Sequence, residues 1–175
     1  IKKGLDDVVA GKTTPWKPMV KMQHMFEKKY SYELYTKGKL QYGRYTAHCF
    51  LYNPKTNKYL FYLRDNIHRI PQRNTWSFFG GVIENETPHE ALCRELKEEI
   101  NIKVHKITPL CIKGIKTGQT LFLFTGYIYD DIKDIKITEG RKVKYFTLNE
   151  ITKDHNNVAY FIKDVVRHFI KINAV

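Results

Sequence analysis

Residues Gly80–Ile102 read GGVIENETPHEALCRELKEEINI, and the fold turns on how this stretch is interpreted. Thr87 stands as an N-cap, Pro88 at the first helical position, and Glu90 three residues after Thr87 completes a capping box, so a helix begins here. Successive helical residues advance by about 100°, which places Glu95, Glu98 and Glu99 within one face roughly 100° wide. Ala91 shares that face and leaves room in front of the carboxylates, while Leu92, Cys93, Leu96 and Ile100 form an adjoining face expected to pack inward. Like charges at i, i+3 and i+4 repel, and an arbitrary acidic face of this kind is simply solvated. Two features point elsewhere. The acidity is local in a basic chain, and the Gly80-Gly81 pair precedes the helix, where backbone can approach a ligand closely. Clustered carboxylates suit hard divalent cations, Mg²⁺ or Mn²⁺, which take oxygen ligands and keep positions for water and phosphate oxygens.

Gly80, then Glu86, then Arg94-Glu95-Leu96-Lys97-Glu98-Glu99-Ile100-Asn101-Ile102 resembles the signature of the Nudix (MutT-like) hydrolases. Two departures stand out. Asn101 occupies a position where the family usually has glycine, and Asn is expected to serve there because it tolerates the left-handed conformation. The run Gly80-Gly81-Val82-Ile83-Glu84-Asn85-Glu86 is one residue shorter than the common GGxxExGE, so either glycine is a candidate for the carbonyl that faces a metal.

The chain has 175 residues, 42% of them hydrophobic, enough for one domain with a real core. Its 30 Lys and Arg outnumber 18 Asp and Glu, a net charge of +12 that favours polyanionic partners such as nucleotides or RNA, or else a solubilising surface. Cys49, Cys93 and Cys111 are widely spaced in apolar surroundings and read as buried thiols in a reducing, cytoplasmic setting. No apolar run approaches membrane-spanning length, and no signal peptide is visible, so no membrane partner is expected.

Residues 1–44 read as an N-terminal extension. Met19, Met22, Met25 and Phe26 recur at helical spacing, and Ser31 to Tyr42 reads as a hairpin turning at Thr36-Lys37-Gly38-Lys39. The methionine stripe suits core packing or a homodimer contact. Residues 45–175 form the second unit. Tyr45–Tyr52 and Lys58–Arg64 make a hairpin; Lys103–Ile115, Gln119–Asp130 and Val143–Thr147 read as strands; Val158–Ile172 is a closing amphipathic helix. The unbroken Leu121-Phe122-Leu123-Phe124 suits a strand buried on both faces. Trp76 is expected in the core beside the glycine turn.

The resemblance implies an α/β fold, an α/β/α sandwich around a mixed sheet. It also implies an enzyme in which water attacks phosphorus of a diphosphate linkage, with Mg²⁺ (or Mn²⁺) held by Glu95, Glu98, Glu99 and the Gly80-Gly81 turn. Arg94 would orient a glutamate, Glu98 would serve catalysis, and Glu86 would take a structural or outer-shell role. Glu139, ahead of Gly140 and the Val143–Thr147 strand, matches the general base of MutT-like relatives. Arg64, Arg73 and Gly81 are candidates for substrate contact, with Arg69 beside them, since guanidinium forks match phosphate oxygens. His105 and His155 offer no ligand spacing and are expected at the surface. The Thr117-Gly118-Gln119-Thr120 stretch lacks the proline of ADP-ribose-cleaving relatives and the tyrosine of diadenosine-polyphosphate-cleaving ones. That favours a nucleoside triphosphate pyrophosphohydrolase, with an RNA-end or cap hydrolase as one alternative and a non-catalytic nucleotide- or RNA-binding module as another.

Overall fold

A computed structural model describes residues 33–40, 45–114, 118–153 and 157–173. Strand β1 (Tyr45–Asn53) is the axis of a seven-stranded mixed sheet. A tight turn returns the chain into β2 (Lys58–Leu63): Asn53 Oδ1 accepts the Lys55 amide at 3.0 Å and Asn57 takes φ 55°, so Leu51 faces Leu60 and Asn53 faces Lys58. Strand β3 (Trp76–Ser77) pairs with β2, and β4 (Phe79–Val82) pairs antiparallel with β1, His48 opposite Gly80. Helix α2 (Pro88–Glu99) follows; a single helical turn, α1 (Glu33–Thr36), precedes β1. Strand β5 (His105–Gly114) forms the edge beyond β6 (Thr120–Tyr127), which runs parallel to β1 along nearly all of it. Strand β7 (Lys142–Phe146) adds to β2, and helices α3 (Leu148–Thr152) and α4 (Tyr160–Asn173) close the chain.

The period of two along each strand divides the core cleanly. Phe50, Phe61, Leu121 and Leu123 pack with Phe161, Ile162, Val165 and Val166 of α4. Ala47, Cys49, Leu51, Phe122 and Phe124 pack with Ala91, Leu92 and Leu96 of α2 on the opposite face. Helices on both faces of a mixed sheet give the expected α/β/α sandwich, and Leu121–Phe124 are buried on both sides as the sequence indicates. Trp76 is buried edge-to-face against Phe146, with ring centroids 5.0 Å apart.

Helix α2 starts as its sequence dictates. Thr87 accepts the Glu90 amide at 3.1 Å and Glu90 accepts the Thr87 amide at 2.9 Å, a reciprocal cap worth about 1 kcal/mol.

Three expectations are corrected. Glu33–Thr36 is helical where a hairpin would need a strand. Tyr35 packs edge-on against Phe122 and Phe124, and the Leu40 amide bonds the Glu86 carbonyl at 2.9 Å, so burial of one aromatic ring overrides the turn-like composition. Cys93 is exposed, unlike Cys49 and Cys111. Ala91 is fully buried against the sheet and not in front of the carboxylates. The methionine stripe at 19–26 lies outside the described residues. Among the described residues no helix is long and apolar enough to cross a membrane.

Strands β2 and β4 share one edge of β1, β2 at Leu51–Asn53 and β4 at Thr46–Cys49, because the other edge belongs to β6. Above Leu60, β2 therefore leaves β1 and pairs with β3, while β7 pairs with β2 from Tyr59 to Leu63. The sheet parts there, and the functional cleft lies in the opening. Gly80 sits at its base with φ 121°, where an added Cβ would overlap the Ala47 carbonyl oxygen. Gly80→Ala should thus destabilise the fold by about 3 kcal/mol or more in chemical denaturation, through strain and steric overlap; a midpoint close to that of the parent chain would contradict this packing.

Candidate active site

The last turns of α2 bring Glu95 and Glu99 to the Gly80-Gly81 backbone. Glu99 is only 3% exposed, and its Oε2 accepts the Gly80 amide at 2.8 Å. Gly81 has no side chain where one would overlap the Glu95 carboxylate. The two glycines therefore have different reasons to be small: Gly80 for the β1 backbone, Gly81 for an acid. Both line a cavity of about 480 Å³, together with Glu95, Glu99, Glu139 and Arg64. A volume of this size suits a nucleotide-sized ligand.

Glu139 reaches the cavity from the loop before β7. Its neighbours are tied down on both sides: the Thr138 amide bonds the Glu99 carbonyl at 3.0 Å, and the Gly140 amide bonds Asp65 Oδ2 at 3.3 Å. Arg94 is the hub behind the acids. Its guanidinium donates to Glu86 at 2.7 Å, to the Val82 carbonyl at 2.9 Å and to Glu95 at 2.9 Å, and it meets Glu98 at 3.4 Å. Glu86 thus holds Arg94, and Arg94 holds Glu95.

Not every expected residue enters the cavity. The Glu98 side chain is 59% exposed and lies on the Arg94 side, outside the lining; Arg73 is exposed and also outside it. The three helical acids therefore do not share one face toward the ligand space. His105 is half-buried against Tyr129, and His155 lies outside the described residues.

The electrostatics of Glu99 and Glu95 follow from their surroundings. Burial pushes the Glu99 carboxyl up to about 8, opposed by the Gly80 amide and reinforced by the charges of Glu95 and Glu139. Burial also raises Glu95, with Arg94 pulling the other way. A site that raises its own carboxyls is short of positive charge. Oxygen-only donors with that deficit fit a hard divalent cation, although among the described residues no three acidic, His or Cys side chains form a ready-made metal cluster. Glu98 has to turn from Arg94 to join one, which breaks only an exposed ion pair of at most about 1 kcal/mol.

Strand β1 adds lining residues that the sequence alone did not single out. Thr46 and His48, alternate residues of β1, are each 8% exposed and line the cavity together with Phe161. Thr46 Oγ1, His48 Nδ1, Arg64 Nε and Gln72 Oε1 are buried without a hydrogen-bond partner, and all four belong to lining residues. Buried polar atoms are normally paired, so these are atoms that a bound ligand or water would complete. Burial, helped by the Arg64 charge, lowers His48 to about 4, leaving an uncharged imidazole at neutral pH. The available signal was two polar residues at i and i+2 in an otherwise apolar central strand.

A glycine turn, acids and an arginine thus meet where the mixed sheet parts, the arrangement that the resemblance to the phosphoanhydride-cleaving Nudix hydrolases implies. The NUDIX domain profile matches residues 43–169, and the chain belongs to that family as a Nudix hydrolase. It is 32% identical to an RNA pyrophosphohydrolase of Sulfurovum sp. (strain NBC37-1), over 59% of this chain and 79% of the relative. The fold is similar to a NUDIX hydrolase from Nitrosomonas europaea (25% identity, TM-score 0.60, 77% of this chain and 74% of that one). It is also similar to a MutT protein from Methanosarcina mazei Go1 (17% identity, TM-score 0.58, 75% and 95%).

The raised Glu99 has a consequence for stability. Between the ordinary carboxyl range and about 8 the folded chain holds a proton that the unfolded chain has released, so the Glu99 contribution to metal-free stability is fullest below that range and is lost as pH rises toward about 8. In EDTA, Tm should drop between pH 5 and 8 and Glu99→Gln should flatten the slope; an unchanged slope in the variant would contradict the burial of an uncompensated carboxyl.

Proposed function

We propose that the chain is a Mg²⁺-dependent hydrolase of nucleoside triphosphates or closely related nucleotide diphosphate derivatives, of the MutT-like kind. The observation that carries this reading is one cavity lined both by the buried Glu99 carboxyl with Glu95 and Glu139 and by Arg64 and the uncharged polar groups of Thr46 and His48. Glu95, Glu98 and Glu99, with a carbonyl from the Gly80-Gly81 turn, would hold Mg²⁺ or Mn²⁺. Bound there, the ion supplies charge neutralisation on phosphoryl oxygens and acidifies a nearby water.

The chain's own residues do the rest. Arg64, which lines the cavity, gives a guanidinium fork to phosphate oxygens. Gly81 leaves room for the Glu95 carboxylate beside the phosphates. Thr46 and His48 offer uncharged hydrogen-bonding groups to a nucleoside, and Phe161 offers it an aromatic face. Glu139 accepts the proton of the attacking water, and Arg94 keeps Glu95 aimed at the cleft.

A second substrate class has specific support. The relative named RNA pyrophosphohydrolase and the net charge of +12 favour a triphosphorylated RNA 5′ end, with the exposed Arg69 and Arg73 near the following phosphates.

Incubation with Mg²⁺ and a panel of nucleoside triphosphates, nucleoside diphosphate sugars and triphosphorylated RNA oligonucleotides, with products identified by mass, tests both readings. Cleavage of a nucleoside triphosphate to monophosphate and pyrophosphate is expected. Turnover confined to RNA would select the second class, and no turnover of either would overturn both. Glu139→Gln should lower kcat by about 100-fold or more with little change in KM; wild-type turnover would remove Glu139 as the base.

A further inference from the structure

Asn101 stands where the Nudix pattern has glycine, and the structure gives that departure a task. Asn101 is not among the residues with positive φ, so tolerance of a left-handed backbone is not the reason for its presence, and the expectation drawn from sequence is corrected. Its side chain is engaged instead. Asn101 Oδ1 accepts the Lys136 amide at 2.6 Å, while the Asn101 amide donates to the Lys136 carbonyl at 3.1 Å. One residue thus closes a two-point clasp on Lys136. Glycine could make only the backbone half.

The clasp begins a short antiparallel ladder. Ile100 pairs with Ile137, the Thr138 amide donates to the Glu99 carbonyl at 3.0 Å, and the Thr138 hydroxyl donates to the Glu98 carbonyl. Residues 98–101 and 136–138 therefore run side by side. The segment that carries the acids Glu98 and Glu99 is fastened directly to the segment that delivers Glu139, one residue beyond Thr138. Asp65 holds the far side through Gly140. Asn101 and Lys136 are both exposed, so the free end of this ladder faces solvent and would fray without the side-chain bond.

We infer that Asn101 is a positioning residue, whose side-chain bond to the Lys136 amide fixes the distance between Glu139 and the acids of α2. The inference rests on the reading of Glu139 as the base. Displacing a reacting group by about 1 Å costs on the order of 100-fold in rate, so partial loosening should be visible in kcat and not in substrate binding.

The test is a double-mutant cycle of Asn101→Gly and Glu139→Gln on the full chain, assayed with Mg²⁺ and the four deoxynucleoside triphosphates. Asn101→Gly should lower kcat about 10-fold with KM within about twofold. Asn101→Asp, which keeps an acceptor for the Lys136 amide, should recover most of that loss. In the Glu139→Gln background the Asn101→Gly loss should vanish. Amide hydrogen exchange at Lys136 should rise in Asn101→Gly and not in Asn101→Asp, and Asn101→Ala repeats the test without glycine's extra backbone freedom. An unchanged kcat in both the glycine and alanine variants, or the same loss in both backgrounds, would overturn the positioning role while leaving Glu139 as base. Wild-type turnover of Glu139→Gln would overturn the base reading and the positioning role together.

Discussion

The Gly80 amide pointing at the Glu99 carboxyl is the contact on which the rest of the site depends. It joins the last turn of α2 to the strand that pairs with the sheet's axis, and it does so at the place where the sheet opens. Taking a carboxyl out of water for a single amide bond is unfavourable, and the raised proton affinity of Glu99 is the direct expression of that cost. The fold carries it because the same helix buries Ala91, Leu92 and Leu96 against the opposite face of β1 and β6 from α4. Core packing fixes the helix, the helix fixes the acid, and the acid is left short of positive charge beside a cavity.

Around that contact the charged groups form two layers with different work. Arg94 answers Glu86, Glu95 and Glu98 from outside the cavity and locks the signature loop to the helix through the Val82 carbonyl. Arg64 answers the acids from inside, with its Nη1 on the Tyr62 hydroxyl at 3.2 Å and its Nε unpartnered. The outer arginine is saturated by protein and so positions side chains. The inner one lines the cavity and is the guanidinium proposed to meet a phosphate. Burial, with the Arg64 charge nearby, also keeps His48 neutral, so it and Thr46 line the cavity without adding charge.

Much of this was legible in the chain itself. The capping box, the β1–β2 turn and the doubly buried Leu121–Phe124 are local signals, and each stands where it was read. The helical projection placed the acids on the right helix but misjudged its inward direction. The buried stripe of α2 runs through Pro88, Ala91, Leu92, Leu96 and Glu99, so Glu99 lies at its centre while Glu98 and Cys93 fall on opposite flanks. Hydrophobicity alone would never centre a buried face on a glutamate. Glu139 entered through family resemblance, because nothing local to residues 135–141 tells that this loop lies along the end of α2. Thr46 and His48 were hidden for a related reason: only the parting of β2 from β4 turns two polar strand residues into the wall of a cavity.

On the function proposed, Glu99 exchanges a proton for a divalent cation. Isothermal titration of Mn²⁺ or Mg²⁺ into the metal-free chain at pH 7, repeated in buffers of different ionisation enthalpy, counts the protons released on binding. Release of most of one proton per ion is expected, lost in Glu99→Gln. Binding with no proton released, or release unchanged by that substitution, would contradict it.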